Sequence, residues 1–489
     1  MPNKDNDGAR LAYPPFDGEL RWAEGHICDA KQIKQPTRTF DLKFSDTRSL
    51  SLLQEIKNDH AHNGQEVRVS GDVVVRRAGN GTPEPSIVLE IISNNEAIKV
   101  DIDWDQTEQR LYVRTPRALS SWESNSGTEL CLQIRATIWA PPGSVLDSLS
   151  IETVHLDVQL LDNLSLQLSS LAHIASTVGA VVAATDGDKD PKQLMHEGAP
   201  LTFSLDSRRI EVRTTSSYIA GTWPLYDYLG FETVSGAVRV GVQPKEALRE
   251  DPKPAVLYVH TTSGTVEVYE PIAEAAAAAA AALMAVQPWA AGSIIPPRQY
   301  EVDMHTMSGR ISGSVAFSSL CRVHTTSGNI DLSLLPVLDK SQISSSSSFS
   351  SSGDSSPVLE TATTSGTTVV NVLDALWRDI RTGSSTSTYS YLSASASSNP
   401  PAIRVLDSRH STTSSPIRVA YPAAWEGTIE ADSLTGRLDV SGRGVEIIRR
   451  DEEFPGYKKH VLARKGQDGA GGELRCVTTS GSITVEVGS

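Results

Sequence analysis

Val323-His324-Thr325-Thr326-Ser327-Gly328-Asn329-Ile330-Asp331-Leu332 is the stretch on which the fold turns. Successive side chains of a strand point to opposite faces. Val323 and Thr325 therefore share one face before the Ser-Gly step, and Ile330 and Leu332 share one after it. β-Branched Val, Thr and Ile favour extended backbone. Between the two halves, Ser327 can hydrogen-bond its own backbone and Gly328 can take φ > 0 without a Cβ clash, so the chain is expected to bend sharply there. One copy reads as strand, corner, strand.

The phrase recurs in both directions. It is VRVSGDVVV at Gly71, FETVSGAVRV at Gly236, VHTTSGTVEV at Gly264 and MHTMSGRISG at Gly309, then TATTSGTTVV at Gly366, DSLTGRLDV at Gly436 and CVTTSGSITVEV at Gly481. Looser copies surround Gly179, Ser217 and Ser415. From 217 to 236 and from 309 to 328 the step is 19 residues, from 415 to 436 it is 21, and from 328 to 366 it is 38, twice 19. A period of ~19–20 residues is that of a repeat array in which each unit buries its apolar face on its neighbours. The expected class is all-β: a β-solenoid of ~19–20-residue coils with Ser-Gly corners.

The longer steps hold insertions, near 270–298, 340–357, 382–401 and 449–472. The Ala275–Ala282 run forms helix well and is stopped by Pro288, and Val372 to Ile380 carries a second helix signal. Ser344 to Ser356 and Ser384 to Ser398 are low-complexity serine tracts, expected as mobile loops because they bury too little to offset chain entropy. The expected organisation is a largely irregular N-terminal tail over 1–45 and the repeat domain over 46–489.

With 44 Lys and Arg against 59 Asp and Glu, the net charge is −15, which argues against a phosphate backbone as partner and hence against nucleic acid. Cys28, Cys131, Cys321 and Cys476 lie too far apart for CxxC chemistry and leave two disulfides or none open. The first residues carry no signal-peptide pattern, and no apolar run reaches the ~20 residues of a spanning helix. Asn80 and Asn163 lie in glycosylation sequons.

Catalytic signatures are missing: there is no GxSxG, P-loop, HExxH or GxGxxG. His260, His305 and His324 sit four residues before the corner glycine in three copies and should stack along one face. Without matching carboxylates, a structural ladder outweighs a metal site. Glu267, Asp331 and Asp439 share an outward position and read as solvated face rather than a Ca²⁺ site. Asp101-Ile102-Asp103-Trp104-Asp105 lacks the glycine and glutamate of an EF-hand loop and reads as an alternating strand, and His60-Ala61-His62 has no third ligand. No catalytic, cofactor or metal residue is expected. Gly71, Gly236, Gly264, Gly309, Gly328, Gly366, Gly436 and Gly481 are structural corner residues.

The TTSGxIxV phrases, together with Gln133 to Gly143 and Leu149 to Val158, resemble the DUF4097 adhesin-like domain family in its filamentous-fungal form, over roughly residues 65–489. The resemblance implies a β-solenoid without established catalytic residues and a surface-adhesion role. Fungal relatives commonly carry a membrane span before the β region, which this sequence lacks; the resemblance implies a membrane-anchored or cell-surface location if the N-terminus is incomplete, and a soluble variant otherwise. The expected function is a non-enzymatic, adhesin-like protein that binds or scaffolds at a cell surface or wall, with glycans or proteins as partners. The alternatives are a self-assembling intracellular scaffold whose solenoid ends stack, and a β-helix carbohydrate-active enzyme. The phrase around Gly481, near residue 489 with no visible cap, would serve end-stacking.

Overall fold

Strand follows strand because β-branched and small residues alternate in and out along nearly the whole chain. The computed structural model of the 489-residue chain describes residues 33–57, 64–78, 84–120, 129–161, 164–183, 203–248, 250–285, 294–341, 356–382, 387–391, 401–453, 458–466 and 471–488. Among the described residues it is all-β apart from the helix Ile272–Ala285, which covers the alanine run. The chain divides into two compact units, Met1–Trp223 and Pro224–Ser489.

In the first unit Arg110–Thr115, Leu50–Ile56, Ser144–Thr153, Ser165–Ser176 and Ser204–Thr214 form one parallel ladder. Asp101–Asp105 pairs antiparallel along the outer side of Arg110–Thr115 with its aspartates exposed, as its alternation predicts. In a second ladder, Gln65–Arg77 lies parallel between Leu130–Ala140 and Asp157–Leu160. Ile33–Lys34 and Arg38–Asp41 pair antiparallel with Ser86–Ser93. These short strands satisfy the edge of Ser86–Ser93.

The second unit repeats one motif. Ala255–Thr261, Tyr300–Thr306, Leu320–Thr325, Val358–Thr363 and Asp407–Thr412 pair parallel in that order before the corner. Val266–Tyr269, Ile311–Phe317, Ile330–Asp339, Thr368–Val372 and Ile417–Tyr421 do so after it. Matching positions of successive phrases are register partners, so Val259, Met304 and Val323 form one buried row and Val266, Ile311 and Ile330 another.

The corner chemistry separates the two threonines of the phrase. Thr325 is fully buried; its Oγ1 accepts the Gly328 N–H at 3.0 Å and donates to the Gly309 carbonyl at 3.2 Å. Thr261, Thr306 and Thr363 cap Gly264, Gly309 and Gly366 in the same way. Thr326 and Ser327 are exposed, and both their backbone N–H groups donate to the Met307 carbonyl of the preceding repeat.

Glycine is required at these corners by close approach rather than by φ. Of the eight corner glycines only Gly71 has positive φ, and it lies inside the strand Gln65–Arg77 rather than at a turn. At Gly328 an added Cβ would lie 1.6 Å from the Gly309 carbonyl oxygen, and at Gly309 1.8 Å from that of Gly264. Stacked corners approach so closely that the next carbonyl occupies the Cβ position.

Two segments between 372 and 398 differ from expectation. Leu376–Thr382, within the stretch read as helix, is a strand that pairs parallel with Ile330–Asp339 and antiparallel with Ser387–Tyr391. The ladder offers it a hydrogen-bonding edge, and Arg378 meets Asp339 across that edge in a buried ion pair at 2.6 Å, which overrides local propensity. Residues 387–391, inside the serine tract 384–398, are thereby strand.

The repeats do not stack in chain order. Gly472–Thr478 lies parallel between Asp407–Thr412 and Gly427–Ser433, and Ile483–Val487 lies between Ile417–Tyr421 and Leu438–Gly442. The phrase around Gly481 is thus interior, not the free end its sequence position suggested. The outer side of Gly427–Ser433 is covered by Lys458–Lys465, antiparallel and itself paired with Val445–Glu453, so the insertion 449–472 contributes a covering hairpin. An edge paired in this way no longer offers its backbone groups to another chain.

Candidate functional site

The outward face of the pre-corner ladder in the second unit carries polar side chains in register. Glu232, His260, His305 and His324 form one row, because each belongs to the same position of its repeat. Neighbouring parallel strands lie ~4.8 Å apart, and the imidazole centroids follow that spacing at 4.9 Å for His260–His305 and 5.0 Å for His305–His324. The rings are tilted, and Tyr258 Oη lies 3.2 Å from His260 Nδ1. Stacking expected from the shared offset is present.

Two residues toward the N-terminus, Tyr258, Asp303, Arg322 and Glu360 form a parallel row on the same face. Arg322 lies between its neighbours, 3.8 Å from Asp303 and 3.5 Å from Glu360. The face thus combines an imidazole stack with an alternating row of charges, an arrangement suited to polar partners met along several repeats at once.

His305, in the middle of its row, has its pKa lowered by burial and by the flanking His260 and His324, with Asp303 opposing. A histidine whose folded pKa lies below its unfolded value contributes stability that is present above the unfolded value and is lost as pH falls from there through the folded value. We expect His305→Gln to lose less stability than the parent between pH 7 and pH 5 in urea unfolding. Equal losses would show that the stack carries no charge repulsion.

Other titratable groups lie inside the core. Glu270 is buried, accepts the Ala316 N–H at 2.8 Å and is pushed up to about 8 by desolvation. His410 is held neutral, pushed down to about 3 by burial, between Thr361 Oγ1 at 2.7 Å and Tyr421 Oη at 3.1 Å. Cys321 and Cys476 are free, buried thiols whose pKa burial raises, whereas Cys131 is disulfide-bonded. The cysteines thus divide between bonded and free, a mixture the spacings did not indicate.

The outward acids do not converge. Glu267 and Asp331 lie on strands separated by that of Ser312, and their ionic partners are Arg239 at 3.8 Å and Arg310 at 2.7 Å. Asp439 lies 3.6 Å from Arg437. Asn80, Asn163 and the His60–His62 pair fall outside the described residues. Among the described residues one group of three metal-ligating side chains has its ligand atoms within 4.8 Å of one another, and it is none of these: Glu430, Asp432 and His460. Sequence reading missed it because His460 reaches Asp432 only through the covering hairpin.

No family model and no curated protein matches the chain. One solved structure does. It is the crystal structure of a candidate cell adhesion protein from Clostridium sporogenes, matched over 94% of this chain and 100% of that one, at 7% identity and a TM-score of 0.14. A likeness that slight carries no argument about fold or function. Among the described residues no helix is long and apolar enough to cross a membrane.

Proposed function

We propose that the chain is a non-enzymatic, adhesin-like β-solenoid that binds or scaffolds at a cell surface or wall, as the resemblance to the DUF4097 adhesin-like family implies. The observation that carries this reading is the register of the second unit, where equivalent residues of successive repeats become outward rows such as His260–His305–His324 and Asp303–Arg322–Glu360. A row with one residue per strand repeats every ~4.8 Å, so it offers many weak contacts to an extended glycan or protein, whose combined avidity exceeds any single one.

The most shifted acids, thiols and imidazole, Glu270, Cys321, Cys476 and His410, face the core instead of a cleft, which favours binding over catalysis. The disulfide at Cys131 fits an oxidising compartment.

Binding of the purified chain to wall polysaccharides and surface proteins tests the reading. Arg322→Ala combined with His305→Ala should weaken binding at least about tenfold, since both rows lose their central member. Depolymerisation of a wall glycan abolished by a point substitution would overturn the proposal, as would binding indifferent to both rows.

A further inference from the structure

The covering hairpin does more than close an edge. His460 on Lys458–Lys465 stands in antiparallel register with Asp432 of Gly427–Ser433 on one side and with Asp451 of Val445–Glu453 on the other. Directly opposed residues share a face, and Glu430, two positions before Asp432, shares it too. The ligand atoms of Glu430, Asp432 and His460 lie within 4.8 Å of one another, with His460 Nδ1 2.9 Å from Asp432 Oδ1. All three are half-buried.

We propose that Glu430, Asp432 and His460 bind a divalent transition-metal ion of the Zn²⁺ class, which fastens the hairpin to the outermost pre-corner strand. Zn²⁺ takes imidazole and carboxylate ligands at ~2.0–2.2 Å, which places tetrahedral ligand atoms roughly 3.4 Å apart. Side-chain rotations closing an ångström or so bring the three to that distance. One imidazole with carboxylates and no thiolate suits borderline divalent ions over Ca²⁺ or Mg²⁺, which prefer all-oxygen sets. An ion bound here shares Glu430 with the Arg475 guanidinium. Arg475 faces Glu430 at 3.5 Å and Arg449 pairs with Asp451, while the ionic partner of Asp432 is His460, an imidazole that carries charge only when protonated. Asp451, in register with His460 on the other side, is held by Arg449 and stays outside the group, so the fourth position is left to water.

The test is Zn²⁺ binding to the full chain, by calorimetry and by metal content after dialysis. The parent should take up one equivalent at this site, with a raised melting temperature and no comparable response to Mg²⁺ or Ca²⁺. His460→Ala and Asp432→Asn should each weaken that binding about a hundredfold. His305→Ala should leave it unchanged, and Glu430→Gln, which preserves shape, separates loss of a ligand from loss of the hairpin. Co²⁺ substitution should give the visible absorption of a tetrahedral site in the parent and not in His460→Ala. Absence of stoichiometric uptake would overturn the proposal and leave a hydrogen-bonded His–Asp pair. Uptake that survives both substitutions, or disappears only with His305→Ala, would also overturn it.

Discussion

Gly328→Ala is expected to destabilise the second unit by about 3 kcal/mol or more, at the upper end of overpacking substitutions. The new methyl carbon would lie 1.6 Å from the Gly309 carbonyl oxygen. That oxygen belongs to backbone, which cannot rotate out of the way as a flexible side chain can. Relief requires parting the two corners. The Thr325 Oγ1 bond to the Gly309 carbonyl and the two N–H bonds to the Met307 carbonyl then lengthen together. Ser327→Ala, one residue earlier and exposed, should stay within about 0.5 kcal/mol of the parent. Urea unfolding of the three proteins checks this; a Gly328→Ala midpoint matching that of the parent would show that the corners can part freely.

Arg135→Met should cost the first unit about 3–5 kcal/mol, because it leaves a buried carboxylate without its countercharge. Arg135 donates to both oxygens of Asp72, at 2.7 and 2.9 Å, and the two residues are 1% and 4% exposed. They face each other across the parallel pair Gln65–Arg77 and Leu130–Ala140, next to Gly71. Replacing both, as Asp72→Leu with Arg135→Met, should recover most of the loss, since a well-packed apolar pair often matches a buried ion pair. Thermal unfolding of the single and double variants closes the cycle. A single variant as stable as the parent would mean that water reaches Asp72.

Much of the local architecture was legible in the phrase itself. Val323, Thr325, Ile330 and Leu332 are buried and Thr326, Ser327 and Asn329 are exposed, as alternation about a corner requires. The order in which repeats pair was not legible. Ile417, Ile483 and Leu438 present the same apolar edge to a neighbour, so nothing in their chemistry says that the 472–487 repeat belongs between the other two. Strand pairing is a non-local choice, settled by which ladder leaves the fewest backbone groups unpaired.

The same limit applies to side-chain groupings. The His260, His305 and His324 stack could be read from one shared offset. The Glu430, Asp432 and His460 group could not, since His460 lies 28 residues beyond Asp432 on a hairpin outside the repeat. Val445–Glu453 places Ile447 and Ile448 side by side, both exposed, among charged residues, so the sequence of this insertion carries no period-2 signal for strand.

The exchanged order of the final repeats bears on how the chain can reach this structure. An array whose spatial and sequence orders coincide can grow like a zipper, each segment docking on the one already formed. Here that progression halts after Asp407–Tyr421. The segment Gly427–Gly442 comes next along the chain but has no seat on the growing end, and it waits until Gly472–Val487 has settled between them. Closure of this region therefore joins segments some sixty residues apart, a slow, high-contact-order step. A chain interrupted anywhere within it keeps the preceding ladder exposed and open to pairing with a second molecule.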